Sequence, residues 1–315
     1  MTAFTQSTAP INPPLSSQPS TGSISERAML ASLNIKNWSP RKLDKQVTRE
    51  VAQSKGVTVG AETVGRYTKN LIPQSDTLSA VQHIVSQARA EFYNLTLPWS
   101  QDGSRILSAD AYLELQARLS TLEIEYRHAV KKFIAAYPAL QQRAQTELAR
   151  LYVADEYPDA SALDAKFVWK FQVLPLPQAS DFRVNLGDDL SAQMREDIAQ
   201  EINSSVASAM QDAYQRLQTR VQYVMERLSD PDAIFQARLL EGLRDMCGTL
   251  RKLNLTGDAN LEQALDDLEA RVLVHSAETL RENPAVRGAA ASSAAEIHAR
   301  MAGFMGVKAD QDVQA

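Results

Sequence analysis

Apolar positions recur at helical spacing along most of the chain, and the longest such run lies between Asp189 and Leu253. Ile198, Ile202, Val206, Ala209, Ala213, Leu217, Val221, Val224 and Leu228 follow one another in threes and fours, which places them on one helix face. Phe235, Leu239, Leu243, Met246, Leu250 and Leu253 repeat the pattern. Between them, in Ser229-Asp230-Pro231-Asp232, Asp230 suits an N-cap and Pro231 the first turn of a new helix. Residues 189–253 therefore predict a long helical hairpin, antiparallel and coiled-coil-like. From Ile198 to Leu228 the steps average 3.75 residues, thirty in eight, well above the 3.5 of a left-handed coiled coil. The arm is expected either to coil weakly the other way or to change partner near Ser204, Ser205 and Ser208. A short seam is expected in its outer part, from Tyr214 to Leu228.

Before the hairpin the pattern alternates between helix and strand. Leu33 and Ile35 mark a short strand. Ser39-Pro40 predicts the start of a basic amphipathic helix over 40–55, with Leu43, Val47 and Val51 inward and a stop at Gly56. Asp76 is the expected cap of a helix bearing Leu78, Val81, Val85, Ala88, Phe92 and Leu95. After an ordered turn at Thr96–Arg105, Ser108 caps a helix bearing Leu113, Leu115, Leu119, Leu122, Tyr126, Val130 and Phe133, which Pro138 kinks or ends. Phe167, Trp169, Phe171 and Val173 alternate as a strand does, and so do Phe182, Val184 and Leu186. Beyond Gly257, Leu261, Leu265, Leu268 and Val272 share a helix, and Asn283-Pro284 separates it from an alanine-rich last helix.

The expected organisation is a disordered tail over 1–26, one helical body over 27–304 and a frayed tail over 305–315. The body comprises a basic N-terminal segment (27–75), a helical pair (76–155), small strands (160–187), the hairpin (189–253) and C-terminal helices (258–304). The fold class is mainly α, a long helical hairpin with a helical bundle and a small accessory β-sheet.

Composition and charge sharpen this picture. The 315 residues carry 12 glycines, 6% aromatics and a net charge of -5. Between Lys36 and Lys69, however, eight basic residues face three acidic ones, so the rest of the chain holds about -10. The single cysteine excludes an internal disulfide, and no apolar run approaches the length of a membrane span. With no secretory-signal pattern at the N-terminus, a cytoplasmic setting and no membrane are expected.

Three stretches carry a resemblance. Leu33-Asn34-Ile35-Lys36-Asn37-Trp38-Ser39 with Arg41-Lys42-Leu43-Asp44, then Gly65-Arg66-Tyr67-Thr68-Lys69-Asn70-Leu71, then Thr96-Leu97-Pro98-Trp99 with Asp102-Gly103-Ser104-Arg105-Ile106-Leu107, resemble an uncharacterised helical family encoded on bacteriophages and plasmids. The resemblance implies mobile-element origin, no established activity and, as a partner class, AAA-type ATPases, with von Willebrand-type domains encoded nearby. It carries over no catalytic residues.

Candidate chemistry is sparse. Gly60–Tyr67 has the glycine spacing of a phosphate loop, but Arg66 and Tyr67 stand where the lysine and hydroxyl are needed, so a turn with a helix start is expected. Glu125 and His128 have di-iron spacing without a second such pair, and read as a solvated helix face. His275 reads as a core-edge histidine and Cys247 as a buried small apolar residue. No metal, cofactor or catalytic residues are expected. Two binding surfaces stand out. Lys36, Arg41, Lys42, Lys45, Arg49, Arg66 and Lys69 are candidates to track a nucleic-acid backbone. Trp99, Asp102 and Arg105 are candidates to anchor a protein partner, with packing of Trp99 between helices as the competing view. The sequence thus predicts a non-enzymatic interaction or scaffold protein that associates with itself or a protein partner through helices. The alternative is a nucleic-acid-binding accessory protein.

Overall fold

The computed structural model of the chain describes residues 24–100, 103–178, 188–230 and 236–304. The expected tail up to residue 23, Asp102, the strand at Phe182–Leu186, Pro231 to Phe235 of the hairpin turn, and 305–315 lie outside the described residues.

The protein is mainly α-helical with a small antiparallel sheet. Strand β1 (Ala28–Lys36) lies between β5 (Arg105–Ser108) and β6 (Val168–Pro175), and β4 (Leu97–Pro98) completes the order β4-β5-β1-β6. The strand expected near Leu33 indeed pairs with the one at Phe167–Val173, Leu33 opposite Phe171 and Ile35 opposite Trp169. A separate two-stranded ribbon joins β2 (Arg41–Leu43) to β3 (Thr68–Asn70), with helices α1 (Lys45–Ser54) and α2 (Ala61–Val64) between its strands.

The sheet packs on a helical pair, α3 (Asp76–Asn94) and α4 (Ala109–Leu148). All six apolar positions expected on α3 and its end are buried. Its cap is Ser75, not Asp76: the Ser75 hydroxyl accepts the Leu78 N–H at 3.2 Å, and Asp76 occupies the first turn, where a carboxylate also suits the helix dipole. Ser108 caps α4 as expected, accepting the Ala111 N–H at 3.2 Å. Helix α4 then runs 40 residues, through Pro138, to Leu148. Pro138 is exposed, and its ring nitrogen has no N–H to offer the carbonyl four residues back. Leu113 corrects the expected stripe. It lies two residues, about 200°, from buried Leu115, and is 76% exposed. Trp38 stacks on Phe133 with centroids 5.9 Å apart, and Phe133 meets Phe167 edge-on, binding sheet to helix. A single-turn helix, α5 (Ala160–Leu163), leads into β6 and buries Leu163.

The remaining helices form the second half: α6 (Asp188–Ser229), α7 (Ala237–Lys252), α8 (Ala259–Arg271), α9 (Ala277–Glu282) and α10 (Pro284–Phe304). The apolar line of α6 from Ile202 to Leu228 is buried. Helix α7 touches α6, but the principal partner of α6 is α10, which presents buried Ala290, Ala294, Ile297 and Met301. Small residues let the two backbones approach, so a hairpin alone does not describe this half. Asn283 caps α10 through the Ala285 and Val286 N–H groups, with Pro284 in the first position. Arg251 of α7 holds α8 through Glu262, Asp266 and Glu269 at 2.8–2.9 Å.

Candidate functional site

Residues 41–70, the β2–β3 ribbon with α1 and α2, form a thinly packed appendage. The helix expected over 40–55 begins only at Lys45. Arg41–Leu43 is drawn into the ribbon, and Asp44 takes over the cap, its Oδ1 accepting the Gln46 and Val47 N–H groups at 3.1 and 3.0 Å. Val47 is half-buried and Val51 is 50% exposed, so the inward apolar face expected of this helix is mostly open.

The appendage is pinned by Lys69, whose side chain is 2% exposed. Its ammonium donates to the Leu151 carbonyl at 2.8 Å and lies 3.0 Å from Asp44 Oδ2 and 2.8 Å from Glu156 Oε2. One carbonyl and two carboxylates thus surround the ammonium, and such pairing is the condition under which a buried charge is tolerated. The Val47 N–H, against a cost of burial and with help from Lys69, holds the Asp44 carboxyl below its usual range. Burial works against the Lys69 charge, but Glu156 and Asp44 outweigh it and raise the ammonium's pKa. Next to this pin, a cleft of about 520 Å³ is lined by Asp44, Lys45, Glu50, Lys69, Arg150 and Glu156, with charges of both signs. The Tyr157 hydroxyl adds a second tie, donating to the Leu71 carbonyl at 2.7 Å.

The cations proposed to track a phosphate backbone thus divide. Lys36 at the end of β1, Arg41 and Lys42 on β2, Lys45 and Arg49 on α1, and Arg66 before β3 are exposed. Lys69 points inward and is held by its carboxylates. Among the exposed cations stand exposed apolar side chains: Val51, Val59, Val64 and Tyr67. The glycine-spaced stretch at Gly60–Tyr67 is the short helix α2 followed by extended chain, as the turn reading expected.

The Thr96–Arg105 turn is a β-hairpin with Gly103 at φ +92°. Trp99 is half-buried against the core, and Arg105 turns inward, donating to the Thr96 hydroxyl at 2.7 Å and carbonyl at 3.0 Å and lying 4.8 Å over the Tyr93 ring. Burial, with Arg216 nearby, lowers the Arg105 pKa. Arg216 of α6 reaches the same place. It donates to the carbonyls of Tyr93, Asn94 and Thr96 at 3.0–3.2 Å and pairs with Asp212 at 2.7 Å. A guanidinium thereby satisfies carbonyls left open at the α3 C-terminus, where positive charge also suits the dipole. Beside it lies an open groove of about 830 Å³ lined by Asp212, Arg216, Thr219, Arg220, Tyr223 and Met246. Arg105 of the expected anchor is therefore built into the junction where α6 meets β4 and the end of α3, and Trp99 lies half-buried against the core.

The outer face of α4 is different in kind. Leu113 and Ile124 are 76% and 71% exposed on a helix otherwise well packed along its inner face. Glu125 and His128, also on this helix, are exposed, in keeping with a solvated face. Cys247 is fully buried, and burial pushes its thiol up to about 12. His275 is half-buried after buried Val272 and Leu273. Among the described residues no group of three or more His, Cys, Asp or Glu side chains is placed to hold a metal ion, and no helix is long and apolar enough to cross a membrane.

Comparison with protein-family models, with curated proteins and with solved structures yields no match. The features that sequence reasoning missed are the Lys69 pin and the Arg216 bracket. The first had no local signal, because its partners come from positions 44, 151 and 156. The second had a faint one, in the four-residue spacing of Asp212, Arg216 and Arg220 on one helix.

Proposed function

We propose that the chain is a non-enzymatic interaction protein of a bacteriophage or plasmid, acting in the host cytoplasm through helix-mediated assembly. The observation that carries this reading is the pair of exposed aliphatic side chains, Leu113 and Ile124, on a long helix whose other side is already buried. Single exposed apolar residues are ordinary on a protein surface, but two on the same side of one rigid helix, with small residues between them, suit contact with another helix. The mobile-element setting rests on the resemblance of the Leu33–Asp44, Gly65–Leu71 and Thr96–Leu107 stretches, which also makes an AAA-type ATPase a partner class to test. Light scattering on the full chain over a hundredfold concentration range tests the reading: mass that rises with concentration, or a stable complex with a partner ATPase, supports it. A strictly monomeric chain that forms no such complex overturns it.

A second reading is favoured by one observation, the exposed cations Arg41, Lys42, Lys45, Arg49 and Arg66 on the appendage, with Lys36 just before it. They suit a nucleic-acid backbone, and their contribution falls steeply with salt. Affinity for duplex or single-stranded DNA that is absent, or insensitive to added salt, removes this reading.

A further inference from the structure

We infer that the outer face of α4 is an isologous docking surface for a second copy of this chain, the two α4 helices running antiparallel. The inference rests on the assembly reading above and specifies its geometry. Along α4, Asp110, Leu113, Ala117, Ser120, Ile124 and Arg127 are spaced by three, four, three, four and three residues, and all six are exposed. This is the alternation of a two-helix seam, in contrast to the longer steps on the buried line of α6. Leu113 and Ile124 lie eleven residues apart, three turns and about 16 Å along the axis, on the same side of the helix. Between them Ala117 and Ser120 are small enough for a second helix to approach.

Charge selects both the partner and its direction. The seam is acidic at one end, with Asp110, and basic at the other, with Arg127 and, one turn on, exposed Lys131. A parallel copy sets Asp110 against Asp110 and Arg127 against Arg127. An antiparallel copy in register sets Leu113 against Ile124 and Ala117 against Ser120, and the same register sets Asp110 against Arg127 at both ends. On one flank it also brings Gln116 near Glu123, an amide beside a carboxylate, without opposing like charges. Arg127 already pairs with Glu123 on its own helix, with its side chain 63% exposed, so a second carboxylate adds to that contact rather than replacing it. The seam is short, and the expected dimer is of the weak, concentration-dependent kind.

The test uses the full chain. Leu113→Cys and Ile124→Cys variants are prepared with different affinity tags, mixed and mildly oxidised. The inference expects the mixed disulfide, position 113 of one copy to position 124 of the other, to dominate over either like-with-like product. The native thiol of Cys247 is buried and stays out of the reaction. Leu113→Asp with Ile124→Asp is expected to weaken self-association more than about a hundredfold by sedimentation, because the two-fold interface contains each residue twice, with the thermal midpoint of the monomer unchanged. Like-with-like disulfides, no disulfide, or an oligomer untouched by the paired Asp changes overturns the α4 interface while leaving assembly through another surface in place. A monomer at every concentration overturns this interface and self-association together. A marked fall in the monomer's thermal midpoint shows that the chain itself covers this face, and that too overturns the inference.

Discussion

The helical body and the 41–70 appendage are held by opposite means. In the body, apolar seams close around α3, α4, α6 and α10, and side chains such as Phe133, Leu115, Leu217 and Ile297 are fully buried. In the appendage the buried side chains are Thr48 and Lys69, the one supplying a hydroxyl and the other an ammonium to a polar network. Apolar burial is non-directional and spreads its contribution over many residues. A buried ammonium concentrates it in one place, because its removal leaves carboxylates and a carbonyl without their partner. The two regions should therefore fail differently: the body as a whole, the appendage through one residue.

The largest effect expected is in the body. Phe133→Ala removes a fully buried ring that meets Trp38, Tyr137 and Phe167, and should cost about 3–5 kcal/mol of global stability. Urea denaturation followed by circular dichroism measures it. A cost under about 1 kcal/mol would show that the sheet–helix seam is not where stability resides.

Lys69→Met comes next, with an expected cost of about 3 kcal/mol, toward the low end for a broken buried pair because Asp44 and Glu156 keep some contact with water. The sharper expectation is spatial. Amide exchange should accelerate across 41–70 and stay near wild-type in α6 and α10. Uniform acceleration would erase the distinction between the two regions. Arg216→Ala should cost about 2 kcal/mol, since the α3 carbonyls it serves lose a charged donor. Its exchange signature belongs at the end of α3. Ser108→Ala, which removes one cap, should lower stability by about 1 kcal/mol, measurable as a small shift in thermal midpoint.

The same contrast decides what was legible in the sequence. Where apolar periodicity governs, as on α3 and along α6, the pattern marks the main buried line, although α6 also buries Met210 and Tyr214 beside it. Ser108 before Leu113 and Leu115, and Asn283 before Pro284, mark helix starts because capping is local chemistry. Counting apolar residues in a window places Leu113 inward because it ignores the 100° turn between neighbours, and Leu115 already holds the inner side. Ser39-Pro40 is a good start signal, so the sequence places Arg41 in a helix. The competing signal, pairing with Thr68–Asn70, is not local. Lys69 reads as one more surface cation until the fold brings Asp44, Leu151 and Glu156 around it. The role of α10 was hidden for a related reason: its alanines give little amphipathic contrast, yet they fit closely against α6. Of the candidate anchor, Arg105 was found by its loop, but its partners Tyr93, Thr96 and Arg216 came from elsewhere in the chain.

The division between an apolar body and an ion-pinned appendage is tested most directly by amide exchange across the chain as pH is lowered from 7 toward 3. The Asp44 carboxyl sits below its usual range in the folded protein. Its contribution is therefore complete above the unfolded value of about 4 and is lost as pH falls through the depressed folded one. Lys69, raised instead, stays charged throughout this window and loses its contribution only in strong alkali. The account predicts that residues 41–70 lose protection first on acidification, while α3, α4, α6 and α10 retain theirs. Loss of protection in the body before or together with the appendage would contradict it.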